Sequence, residues 1–139
     1  MPNSSFPQKQ AAEMRVLVVD DDPLQLAYVT ALLKSLQITA VTTADNGTEA
    51  VAAIEKQADG LDLIISDLMM PTMDGFDFLW QLAYRQSQIP VIIMSAQSTE
   101  VIHSAELVAQ LKFLKLVGSL EKPVSKDRFY DMIKVLLVP

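Results

Sequence analysis

At 139 residues with no cysteine, the chain is the size of one domain that buries its core without disulfides or thiolate metal sites. A net charge of −6, with no basic run to offset it, opposes a nucleic-acid backbone, so direct nucleic-acid binding is not expected. Apolar residues make up 50% of the chain, but they fall in short blocks such as VLVV, LII and VIIM. None approaches the ~18 consecutive residues of a membrane span, so no membrane association is expected.

Residues 1–13 are polar and lack the apolar stretch of a secretion signal; they are expected to form a disordered leader before a domain over 14–138. With no cysteine and no signal, a cytoplasmic location is expected. The first strand-length block, Met14–Val19, runs into Asp20, Asp21 and Asp22. Three like charges beside a low-dielectric core repel, so a bound cation or a helix N-terminus should offset them. Asp22 precedes Pro23 and reads as the N-cap of a helix over Pro23–Leu36. That helix carries Leu24, Tyr28, Leu32 and Leu36 at one spacing and Val29 and Leu33 at another.

A second block, Ile38–Thr43, leads to a helix over Asn46–Gln57 with Ala50, Val51 and Ile54 on one face. The third, Leu61–Ser66, ends in Asp67 and the phrase LMMPTMDG. The next helix, Asp74–Arg85, brings Phe76, Leu79, Trp80 and Ala83 together, which reads Phe76 and Trp80 as core or partly buried packing. Pro90–Met94 ends in Ser95-Ala96, and a helix over Ser98–Leu111 follows. Val117–Leu120 leads into Glu121-Lys122-Pro123 and a last helix over Ser125–Leu137. Ser98 and Ser125 both stand where N-caps belong.

Strict alternation of strand and helix implies a parallel sheet covered on both faces, because each parallel crossover needs a covering helix. In such sheets function gathers at the carboxyl ends of the strands. Those ends carry Asp20, Asp21, Asp67, Ser95 and Lys122. Paired carboxylates with carbonyls and waters suit a hard cation such as Mg²⁺. A lysine and a hydroxyl opposite it resemble the clamp on a transferring phosphoryl group. The obvious nucleophile is then a carboxylate, which forms an acyl phosphate. His103, the one histidine, has no neighbouring ligand and reads as a solvated residue.

The phrases VLVVDDDP, LIISDLMMPTMDGF, PVIIMSAQ and LEKPV stand in order at compatible spacing. Together they resemble the receiver domain of two-component response regulators, over about Arg15 to Leu137. The resemblance implies a flavodoxin-like (βα)5 doubly wound sandwich, an α/β fold whose five-stranded parallel sheet has the order 2-1-3-4-5. It implies that Asp67 is the phosphoacceptor, taking its phosphoryl group from a phosphohistidine on a sensor histidine kinase or phosphotransfer protein. It implies Mg²⁺, with Mn²⁺ as an alternative ion, held directly by Asp21 and Asp67, through water by Asp20, and by the Met69 backbone carbonyl. Ser95 and the Ala96 N–H would meet phosphoryl oxygens. Lys122 would pair with the phosphoryl group or, without it, with Asp67, and the Lys122–Pro123 bond would be cis. Gly75 would serve the turn after PTMDG.

Two departures stand out. Ser119 occupies a position, three before Lys122, that is often aromatic in the family. The stretch from Ser95 to Lys122 is also longer than expected, the extra length falling in AQLKFLKLVGSLEKP. That phrase resembles receivers fused to EAL-type cyclic-di-GMP phosphodiesterase domains. From Val101 to Leu116 only Glu106, Lys112 and Lys115 are charged, so an apolar patch is expected there. It suggests a homodimer or output-domain interface on the face built by the fourth helix, fifth strand and fifth helix. Other readings use the same residues: a Mg²⁺-dependent phosphatase working through an aspartyl phosphate, a degenerate receiver serving only as an interaction module, or a flavin binder.

Overall fold

The computed structural model describes residues 6–57, 60–68, 75–96, 103–104, 106, 108, 110 and 114–139. Among them are five strands: β1 (Arg15–Val19), β2 (Ala40–Ala44), β3 (Leu63–Asp67), β4 (Val91–Ser95) and β5 (Leu116–Glu121). Three helices, α1 (Pro23–Ser35), α2 (Gly47–Lys56) and α3 (Gly75–Tyr84), alternate with them, and a last helix spans Lys126–Ile133. All neighbouring strands pair in parallel, in the order β2-β1-β3-β4-β5. The fold is thus the flavodoxin-like doubly wound sandwich that the sequence implied. Residues 98–111, expected as a helix, lie only partly among the described ones; His103, Ser104, Glu106, Val108 and Gln110 are helical.

Period-two alternation sends successive side chains to opposite faces of the sheet. Val16 and Val18 therefore join Leu63, Ile65, Ile92 and Met94 in a core closed by Val29, Leu32 and Leu33 of α1 and by Phe129 and Ile133. Leu17 and Val19 join Ile64, Val91 and Ile93 in a second core closed by Ala50 and Ile54 of α2 and by Phe78, Leu79 and Leu82 of α3. β3 and β4 are buried throughout, which is why LII and VIIM read as continuous apolar runs.

Side chains cap the helices. Asp22 accepts a hydrogen bond from the Leu24 N–H at 3.0 Å, Asn46 from the Glu49 N–H at 2.8 Å, and Ser125 from the Arg128 N–H at 3.4 Å. α1 and α3 each close on a glutamine with positive φ, Gln37 (69°) and Gln86 (55°), where glycine is the usual residue. In both, the next N–H reaches back a turn, from Ile38 to the Leu33 carbonyl and from Ser87 to the Leu82 carbonyl.

Two expectations need correction. α3 buries Phe78, Leu79 and Leu82, whereas Trp80 is 51% exposed, so the inward face is turned from the one read from Phe76, Leu79, Trp80 and Ala83. Phe78, Leu79 and Leu82 also recur at helical spacing, and contact with the sheet selects their face over the other. The leader reading does not hold for residues 8–13. Lys9 bridges to Leu137, donating its N–H to the Leu136 carbonyl at 3.1 Å, and its Nζ lies 3.0 Å from Asp62. Ala11–Glu13 form a 3-10 turn into β1.

Phe129 is fully buried in the core beneath α1 and the last helix. Phe129→Ala should lower stability by about 3–5 kcal/mol through lost burial and the cavity left behind. Urea denaturation followed by circular dichroism would read this as a lower midpoint at nearly unchanged slope.

Candidate functional site

The strand order sets the site, because β1, β3, β4 and β5 end side by side. Val19 pairs with Ser66, Asp67 with Met94, and Ser95 with Glu121, so the next residues of each chain share one edge. Backbone bonds continue past the strands. Asp20 donates to the Ala44 carbonyl at 3.1 Å, Leu68 to Met94 at 3.1 Å, and Lys122 to Ser95 at 2.8 Å. The functional side chains are therefore held by the sheet's own ladder.

At that edge Asp20, Asp21 and Asp67 each offer a carboxylate oxygen, all within 4.8 Å of one another. Asp20 is fully buried and Asp67 nearly so, while Asp21 is open to solvent. Asp20 Oδ1 accepts a hydrogen bond from the Asp22 N–H at 3.0 Å, which fixes the turn between β1 and α1. Its Oδ2 accepts from Lys122 Nζ at 2.8 Å, and the same ammonium lies 3.4 Å from Asp67 Oδ2. Lys122, expected to pair with Asp67, thus sits closer to Asp20.

Burial works against the Lys122 ammonium. The hydrogen bond to Asp20 and the charges of Asp67 and Asp20 outweigh it, so its pKa is raised above the ordinary lysine value. Three converging oxygens, two of them buried, are a donor set for a small hard cation rather than for a soft metal.

Ser95 is fully buried at the end of β4, with Ala96 exposed next to it. The Lys122–Pro123 peptide bond is cis. Met69, the proposed carbonyl ligand, lies outside the described residues, as do the PTMD residues before Gly75 and most of the patch from Val101 to Leu116. His103 is exposed, with Nδ1 3.8 Å from Glu106.

Some contributing residues carried little sequence signal. Tyr28, read as part of an apolar face, donates its hydroxyl to the Val124 carbonyl at 2.9 Å and so ties α1 to the segment just after Lys122. A tyrosine on a half-buried helix face with a polar tip is the one hint available. Ser119 donates to Glu106 at 2.7 Å, a partnership between residues thirteen apart that no local pattern announces.

Comparison with known proteins bears on this geometry directly. The family profile described as "Response regulator receiver domain" matches residues 16–134. The chain belongs to that family. Receiver domains are signal switches that interact with histidine kinases or phosphotransfer proteins, and they bind Mg²⁺ at an acidic pocket. The receiver is 43% identical over 90 residues to the two-component response regulator ORR21 of Oryza sativa, an alignment covering 64% of this chain and 13% of that protein. It therefore spans only a small fraction of such relatives' length. Among solved structures, a response regulator from Colwellia psychrerythraea is 28% identical with a TM-score of 0.77, covering 89% of this receiver and 96% of that chain. A CheX–CheY–BeF3–Mg complex from Borrelia burgdorferi contains a chain of the same fold at 24% identity, with a TM-score of 0.78 over 91% of this receiver and 90% of that chain.

Lys122 should be a measurable support of the metal-free receiver. Replacing it in Lys122→Met leaves Asp20 and Asp67 buried without their cation. With chelator present this should cost about 1–3 kcal/mol, less than the ~3–5 kcal/mol of a fully buried pair because Lys122 keeps some exposure. The raised pKa fixes the sign of the pH dependence. The contribution is fully present below the ordinary lysine value of about 10.4 and is lost as pH rises through the higher folded value. Urea midpoints of wild type and Lys122→Met should thus differ constantly near neutrality and converge above about pH 10.

Proposed function

We propose that this receiver is a Mg²⁺-dependent phosphoacceptor switch in which Asp67 takes a phosphoryl group from a phosphohistidine. The observation that carries the reading is the convergence of Asp20, Asp21 and Asp67 with the Lys122 ammonium between two of the carboxylates. Asp20, Asp21 and Asp67, with the Met69 carbonyl, are the residues that would hold the ion. Bound there, Mg²⁺ neutralises charge on the carboxylates and on the phosphoryl oxygens.

The chain's own groups do the remainder. Asp67 sits at the end of a buried strand, so its carboxylate is positioned before the donor arrives. An Asp67 oxygen forms the new bond to phosphorus as the P–N bond of the phosphohistidine, protonated at its other ring nitrogen, breaks and its electron pair returns to the imidazole. The products are an acyl phosphate and a neutral ring, and net charge moves from donor to receiver. Lys122 then exchanges part of its carboxylate pairing for a phosphoryl oxygen, and Ser95 with the Ala96 N–H supplies hydrogen bonds to the others. The chemistry is uptake and loss of one group, consistent with a switch.

The phosphoryl group enters from a sensor histidine kinase or phosphotransfer protein in the cytoplasm. The output leaves through the face built by β4, the helical residues His103, Ser104, Glu106, Val108 and Gln110, β5 and the last helix, toward a second copy or an output domain. Phosphorylation favours an arrangement of that face otherwise sparsely populated.

Incubation with radiolabelled acetyl phosphate and Mg²⁺ tests the chemistry. Wild type should label, Asp67→Asn should not, and chelation should abolish labelling. Asp67→Asn labelled at the native rate would end the assignment. Asp21→Asn should weaken both Mg²⁺ binding and labelling by at least tenfold, an effect of more than ~1.4 kcal/mol. Asp22→Ser keeps an N-cap and should leave both nearly intact.

A further inference from the structure

The helical segment that follows β4 and the strand that leads to Lys122 are joined away from the site. β4 ends in Ser95 and leads into the helical residues that carry Glu106, while Ser119 lies in β5 three residues before Lys122. Ser119 Oγ donates to Glu106 Oε2 at 2.7 Å, within the ordinary range of an O–H···O hydrogen bond. The other oxygen, Oε1, lies 3.8 Å from His103 Nδ1, so Oε2 remains turned to Ser119.

A strand irregularity makes the contact. Val91 pairs with Leu116 and Ile92 with Gly118, leaving Val117 as an extra residue in β5. Val117 packs with the core beneath the last helix, and a Cβ on Gly118 would meet Met132 of that same helix. Two consecutive residues thus take one face, and Ser119 is turned to the other, toward Glu106. Re-aiming a side chain is what such bulges do.

We propose that Glu106 and Ser119 are a positioning pair whose hydrogen bond holds the helical segment carrying Glu106 against β5 in the arrangement described above. The inference rests on the phosphoacceptor reading of Asp67. At the site, Lys122 donates its N–H to the Ser95 carbonyl, so the two strand ends are coupled there as well. A phosphoryl group drawing Ser95 and Lys122 inward displaces these segments relative to each other, and the Glu106–Ser119 bond resists that displacement. The bond therefore sets how readily the phosphorylation-competent arrangement is reached.

The test is the rate of labelling by acetyl phosphate at saturating Mg²⁺, with Mg²⁺ affinity measured separately and folding checked by thermal melts. Ser119→Ala and Glu106→Ala should each speed labelling roughly three- to tenfold, the effect of losing one partly exposed charge-assisted hydrogen bond. The double variant should be no faster than either single one, because both remove the same bond. Ser119→Thr keeps the hydroxyl and should restore the native rate, and Mg²⁺ affinity should not change. Folded variants that label at the native rate, or more slowly, would overturn the inference alone. A wild-type chain that takes no label would overturn the phosphoacceptor reading and this inference with it.

Discussion

Two carboxylates, Asp20 and Asp67, are buried at one edge of an apolar sheet, and a third, Asp21, stands beside them. In a low-dielectric setting like charges at that separation repel strongly, and each also resists losing its water. A cation among them is the condition for the rest of the arrangement. Lys122 supplies one, 2.8 Å from Asp20 and 3.4 Å from Asp67. The sheet order exists, functionally, to bring that lysine from the far end of the chain to the aspartates of β1 and β3. Its surroundings are fixed through backbone groups on at least one side of each bond: the strand-end hydrogen bonds, the Asp22 N–H on the Asp20 carboxylate, and the Val124 carbonyl under the Tyr28 hydroxyl.

The same constraint explains how a structural cluster serves as a switch. A divalent ion and an ammonium would answer one need, so on the proposed function the carboxylates accept either. A phosphoryl group on Asp67 would add negative charge where Lys122 is already shared. On the proposed function the lysine would then redistribute its contacts, while its backbone N–H on the Ser95 carbonyl ties it to the end of β4.

Much of this was legible in the sequence, for identifiable reasons. Strands β3 and β4 are buried on both faces and so appear as unbroken apolar runs, and the side-chain caps at Asp22 and Ser125 are local chemistry. The family phrases singled out Asp20, Asp21, Asp67 and Lys122, which the sheet order brings to one edge because they lie at strand ends. α3 was misread because its apolar residues admit two helical faces, and only contact with the sheet decides between Phe78 and Trp80. The pairing of Lys9 with Leu137 was invisible for a different reason. It joins opposite ends of the chain through backbone groups, which carry no residue signature.

The serine at 119 and the register shift beside it are a single structural event. An added residue in an edge strand can shift the register of everything after it, which would have turned Lys122 away from the aspartates. The bulge at Val117 absorbs that residue instead, so Ser95 still pairs with Glu121 and the lysine keeps its place. The cost of a bulge is an unpaired residue and a local twist, and β5 is an edge strand, where both are tolerated. What the bulge changes is the face on which Ser119 emerges. A short hydroxyl there can meet a carboxylate on the adjoining helix where a large ring would have to find space. Register near the site is conserved by the same irregularity that creates a polar link away from it, and this is why Ser119 belongs with the site although it touches none of its charges.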